Sequence, residues 1–258
     1  MIHIDADIIP ILMLIMVRVS VFVMLMPILG QKIIPTSVKV GLTIMLTAIL
    51  FPIVKNDIDV IPLEPLSIAL MGAKEIFLGA TLALSAQLVF GAVQFAGQLI
   101  SYQMGLSAAN IFDPSSSEQV SVVGQVINTL AILVWFAVGA HHLFIQALME
   151  SFTVSPIGGD WAIGGIEGII HLGSSLFLIG MQLAAPVMIL VFLINAGLGL
   201  VSKAVPQIQV FFVSFPLTIG FGLMVLALSL PAMLSIIAGQ FRYFGESIPS
   251  LMRVVGGG

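Results

Sequence analysis

Apolar residues run in long blocks along this chain, and polar residues fall between the blocks rather than alternating within them. Six blocks can be marked, at residues 8–29, 38–54, 66–100, 119–149, 168–201 and 207–240, separated by Pro, Gly and scattered charges. Between Lys203 and Arg242 no residue carries a formal charge, although about 20 apolar residues suffice to cross the hydrocarbon core of a bilayer. In lipid every backbone polar group must be satisfied within the structure, which leaves only helices and closed barrels. The period-two alternation of barrel strands is absent. The pattern therefore predicts an all-α fold, a helical integral membrane protein of about six long hydrophobic helices.

Several blocks exceed a simple span. Ser115 with Glu118 three residues on makes a capping box, so a helix is expected to start there and run towards Met149. At 1.5 Å per residue it would be about 50 Å long. Such a helix must tilt, kink near Gly124 or Gly139, or stand partly outside the bilayer. A stretch rich in Gly and Ser at 151–168, with Pro156 and Asp160, divides a four-helix front part from a two-helix hairpin. The expected division is 1–165 and 166–258.

The few cations suggest an orientation. Lys32 and Lys39 lie between the first two blocks and Lys203 between the last two, whereas Asp5, Asp7, Asp57, Asp59, Glu64, Asp160 and Glu167 fall in the tail and the alternate loops. Cations favour the cytoplasmic side, which puts both termini outside, against the placement of Lys55, Arg242 and Arg253. The opening Met-Ile-His-Ile-Asp-Ala-Asp is acidic where a signal peptide is basic. The first hydrophobic block is thus expected to be retained.

Composition sharpens this picture. Charged residues make up 8% and hydrophobic ones 59%, against about a quarter charged in soluble domains. A chain so apolar needs a membrane or a hydrophobic partner to cover its surface. The net charge is −4 and no basic cluster could neutralise a row of phosphates, so nucleic acid is not an expected partner. With no cysteine, disulfides, thiolate metal sites and a cysteine nucleophile are excluded.

Enzyme signatures fail. The sequence has no G-x-x-x-x-G-K-[ST], no G-x-S-x-G and no H-E-x-x-H. His141 and His142 are a tempting metal or proton-relay pair, but neighbours on a helix diverge by about 100°; His142 would instead reach Gln146. Gln87, Gln94 and Gln98 recur at helical offsets, with Gly91 between them, and form one polar stripe. It either lines an aqueous path or packs against a neighbouring subunit. Arg18, Lys74 and Glu75 are charges inside apolar blocks and so functional suspects. No pair of acidic residues lies deep in any block, which weighs against an ion-coupled carrier. Met13, Met16, Met24 and Met26 fall close together, among 14 methionines, and suit ordinary core filling. The segment 105–118 interrupts two apolar helices with small and turn-forming residues, and Asp113-Pro114 stops any helix. It is a surface loop or, at membrane depth, a constriction lining a cavity.

These features occur in a recognisable order. Arg18 is followed by Pro27 and Pro35, then Lys74-Glu75-Ile-Phe-Leu-Gly79, Phe95-Ala-Gly-Gln-Leu-Ile-Ser101, Gly105-Leu-Ser107, Asp113-Pro114 and Gly139-Ala-His-His142. Further on come Glu150-Ser-Phe152, Pro156-Ile-Gly158, Ala184-Ala-Pro186, Asn195, Leu198-Gly-Leu200 and Pro206-Gln-Ile-Gln-Val-Phe211. Along nearly its whole length the chain resembles the FliR family, the R subunit of the flagellar type III export gate, whose injectisome counterpart is SctT.

The resemblance implies a helical assembly of one R, five P and four Q subunits, with other export-apparatus membrane proteins, in the bacterial inner membrane at the flagellar basal body. Unfolded rod, hook and filament proteins leave the cytoplasm through it. It implies a P-like front part, 1–165, fused to a Q-like hairpin, 166–258, with Lys203, Pro206, Gln207 and Gln209 at the hairpin tip. The loop 105–121 would be the pore plug, carrying Gly105, Leu106, Ser107, Asn110, Ile111, Phe112, Asp113, Pro114, Ser115 and Glu118. Methionines, chiefly of the P subunits, would form a deformable gasket below it. No active site, metal or cofactor is implied, and the termini are expected to be periplasmic. The family often has Asn where Gln209 stands, which alters the reach of that amide. The alternatives are an injectisome gate subunit and an ion-coupled secondary transporter.

Overall fold

The computed structural model describes residues 8–31, 33–55, 64–106, 121–159, 166–205 and 210–256. Among the described residues there are seven helices: α1 (Ile8–Leu25), α2 (Thr36–Val54), α3 (Pro65–Met104), α4 (Val122–Ala137), α5 (Ala140–Val154), α6 (Ile166–Ala204) and α7 (Val210–Gly256). The same residues contain no strand, and the all-α expectation holds. Five helices are long and apolar enough to cross a membrane, or six if α4 and α5 count as one broken span.

The fourth block is where one expected helix becomes two. Its halves, α4 and α5, are bent by 65° at the break, where Gly139 has φ 68°. A Cβ disfavours that left-handed backbone, so glycine is the residue that can turn the chain there. The kink expected near Gly139 is thus present, while α4 runs unbroken through Gly124.

The long helices overrun their hydrophobic blocks. Helix α7 has 47 residues, about 70 Å at the usual rise, and it continues past Gln240 through Arg242 and Glu246. Helix α3 has 40 residues and α6 has 39. Each is roughly twice the length a 30 Å hydrocarbon core requires. Helix formation does not stop where hydropathy falls, because Arg, Glu and Leu are all good helix formers.

The chain forms two compact units: Met1–Leu88 with Val138–Gly173 and Phe241–Gly258, and Val89–Ala137 with Ser174–Gln240. In the first, α2 packs on α1, and α1 buries Ile11, Leu14, Ile15, Arg18, Val19, Phe22 and Val23. That spacing of three and four is one helical face, and Arg18 is its single charged member. The second unit encloses Phe90 against Trp135, with ring centroids 5.8 Å apart, and also buries Ile100, Met104, Ile127 and Leu183.

Small polar residues inside these helices satisfy themselves. Thr43, Thr47, Thr81 and Ser85 each donate to the carbonyl four residues back, at 2.7–2.9 Å. A hydroxyl bonded in this way adds no unpaired group to an apolar environment.

Candidate functional site

The charges singled out in the sequence converge in the first unit. The Nε of Arg18 donates to Glu75 Oε2 as a fully enclosed ion pair. Its Nη1 donates to Ser151 O at 2.8 Å and Ser151 Oγ at 3.0 Å, and its Nη2 to Ser155 O at 2.9 Å. The ring of Phe152 lies 4.0 Å from the guanidinium carbon, within range of a cation–π contact. Gly79 lets α3 approach, since a Cβ there would lie 2.6 Å from Arg18 O.

The carbonyls of Ser151 and Ser155 belong to the end of α5, where helix carbonyls carry partial negative charge, and Ser151 O already accepts from Ser155 N at 3.0 Å. Arg18 supplies donors to both. Lys74, itself buried, reaches the next turn by donating to Gly159 O at 2.8 Å. Lys39 does the same for the turn after α1, donating to Gly30 O and Gln31 O at 3.0 Å. In an apolar chain these cations serve as caps for broken backbone.

The expected glutamine stripe divides in two. Gln87 donates its amide to Leu25 O, the last carbonyl of α1, and so has a local packing role. Gln94 and Gln98 stand exposed on α3, and Tyr102 one turn further on is 74% exposed. His141 and His142 bring their rings to 4.0 Å, closer than their divergence along a helix suggested. Gln146 bonds to Glu150 at 2.9 Å. No group of three or more potential metal ligands is found among the described residues.

Of the expected plug, only Gly105, Leu106 and the closing Ser121 are described; Ser107, Asn110, Ile111, Phe112, Asp113, Pro114, Ser115 and Glu118 lie outside the described residues. At the hairpin tip, Lys203 is exposed in the last turn of α6, and Pro206, Gln207 and Gln209 likewise lie outside.

Both ends flanking that loop are fastened within the second unit, by contacts that the sequence did not show. The Oγ1 of Thr218 donates to Met104 O at 3.1 Å, Met104 packs against Gly222, and Gly105, with φ 81°, sits against the ring of Phe215. On the other side Ser121 Oγ accepts from Gly124 N at 2.8 Å and donates to Gly97 O at 3.1 Å, capping α4. Its remaining partner is Ser101 Oγ. Gly97 and Gly124 meet backbone to backbone, with no room for a Cβ on Gly97. Serine and glycine one turn apart on α3 and three apart at the start of α4 were the available signal.

Comparison with known proteins identifies the family. A family model described as bacterial export proteins, family 1, matches residues 9–244. The flagellar biosynthetic protein FliR of Bacillus subtilis (strain 168) is 31% identical over 256 residues, covering 97% of either chain. The protein of the same name from Escherichia coli (strain K12) is 33% identical over 218 residues, 84% of this chain and 82% of that one. The FliR of Pectobacterium carotovorum subsp. carotovorum is 33% identical over 216 residues, 83% of this chain and 82% of that one. The chain belongs to the bacterial export proteins, family 1, with the flagellar biosynthetic proteins FliR among its relatives.

Proposed function

We propose that this chain is a subunit of the flagellar type III protein export gate. With P and Q subunits, as one R to five P and four Q, it forms the pore through which unfolded flagellar proteins are exported. It carries out no catalysis of its own. Its place is the bacterial inner membrane at the flagellar basal body, with both termini periplasmic.

The observation that carries this reading is the outward face of α6 and of the first part of α7. Phe177, Leu178, Phe192, Leu193, Leu200 and Phe212 are each 60–71% exposed. So large an apolar surface demands a partner or lipid, and membership of an export family selects sister subunits. The segment 166–258 is then the Q-like hairpin, with Lys203, Pro206, Gln207 and Gln209 at its tip, and 1–165 the P-like part. The loop 105–121 is the plug, and the fastening of Met104, Gly105 and Ser121 supports that role by fixing the chain at either side of it. Gln94, Gln98 and Tyr102 interrupt an otherwise apolar exterior, which suits an aqueous path. The flagellar names of the relatives favour this gate over that of an injectisome.

Deletion of the chain from its host is expected to abolish secretion of rod, hook and filament proteins. Undiminished secretion would overturn the reading. Shortening the loop around Asp113-Pro114 should make the membrane leak small ions, and unchanged conductance would remove the plug role.

A further inference from the structure

Arg18 offers five N–H donors in a rigid plane. Four are bonded, one from Nε, two from Nη1 and one from Nη2, which leaves one Nη2 proton. Beside it, Glu75 Oε1 and Ser155 Oγ are both enclosed and without a hydrogen-bond partner among the described residues. Arg18 and Glu75 are 0% exposed and Ser155 1%. Glu75 Oε2 and Ser155 O bind neighbouring nitrogens of one guanidinium, Nε and Nη2, so the two residues lie side by side.

One donor, one carboxylate acceptor and one hydroxyl are therefore unmet in a single enclosed cluster. Leaving such a group unpaired in an apolar interior is costly, and more so if it is charged. The guanidinium rules out a bare cation as occupant, and the carboxylate rules out an anion. A small neutral molecule that both donates and accepts fits all three, and buried waters typically make about three hydrogen bonds.

We propose that Arg18, Glu75 and Ser155 hold one internal water molecule. It accepts from Arg18 Nη2, donates to Glu75 Oε1, and completes its shell on Ser155 Oγ. The buried ion pair is then hydrated, and the end of α5 can separate from Arg18 onto water rather than onto apolar side chains. This site does not depend on the export reading.

The test uses the protein purified in its native complex. A structure resolving ordered water should show density within hydrogen-bond distance of all three atoms. Hydroxyl-radical footprinting in ¹⁸O-labelled water should oxidise Phe152, an otherwise enclosed ring beside the guanidinium, and Ser155→Val should lower that labelling several-fold. A direct bond from Ser155 Oγ to Glu75 Oε1 with no density between them, or an unlabelled Phe152 in the unaltered protein, would overturn the proposal. Both of these readouts stand without the variant.

Discussion

Arg18 of α1 and Glu75 of α3 form an ion pair that solvent does not reach. The arginine of that pair also holds the end of α5 through Ser151 and Ser155. Three helices of the first unit thus meet at one guanidinium, and removing either charge strands the other in an enclosed apolar site. Arg18→Ala and Glu75→Ala should each destabilise by about 3–5 kcal/mol. Arg18→Met with Glu75→Leu should lose less than the sum, since no bare charge remains. Thermal melting of the purified complex checks this; additive losses would contradict the pairing.

Arg18→Lys tests geometry separately from charge. An ammonium cannot span Glu75 Oε2, Ser151 O and Ser155 O at once, because it lacks the planar fork. The variant should melt well below the unaltered protein despite keeping its charge. Equal melting temperatures would show that charge alone matters.

Gly97 and Gly124 make the second contact open to a sharp test. A Cβ on Gly97 would fall on the backbone of Gly124, so Gly97→Ala forces the α3 and α4 backbones apart. A loss of about 1–3 kcal/mol is expected. Gly41→Ala, on α2 with nothing within 4 Å of the added atom, should be neutral or stabilising by up to about 1 kcal/mol. Melting curves that rank the two in the opposite order would sink this account of α3 and α4.

Much of this architecture is legible before any coordinates. Apolar blocks mark the helices because lipid allows few alternatives, and Gly139 is one of two positions, with Gly124, at which a bend in the fourth block is expected. Arg18, Lys74 and Glu75 stand out as charges among apolar residues. Their partners do not. Glu75 lies 57 positions from Arg18, and Ser151 and Ser155 lie 133 and 137 away, separations to which helical periodicity is blind. Two of those partners are backbone carbonyls, which every residue carries. The same limit hides Thr218 under Met104 and Ser101 against Ser121. Helix ends were misplaced at Met104 and beyond Gln240 because hydropathy marks where lipid or partner begins, not where hydrogen bonding ends.

Ser121 acts on two helices at once, so its loss should exceed that of an ordinary cap. Ser121→Ala removes a cap, at about 1 kcal/mol, together with its bonds to Gly97 O and Ser101 Oγ. A double-mutant cycle with Ser101→Ala should give a coupling above about 0.5 kcal/mol. Additivity would mean that the two hydroxyls do not interact.

Gln94 and Gln98 are exposed, so replacing both with Leu should leave the melting temperature nearly unchanged. Secretion of flagellar protein into the medium should nevertheless fall, as apolar side chains replace amides on the path proposed for an unfolded chain. Normal secretion with the double variant would assign the stripe no part in transport.

The central claim is that the apolar outer face of α6 and α7 is covered by sister subunits. Native mass measurement after mild solubilisation tests it most directly. The chain is expected to appear only in a large complex with other hydrophobic proteins, and Phe192→Asp should release it from that complex. A monodisperse chain carrying nothing but detergent, with the variant indistinguishable from it, would contradict the account.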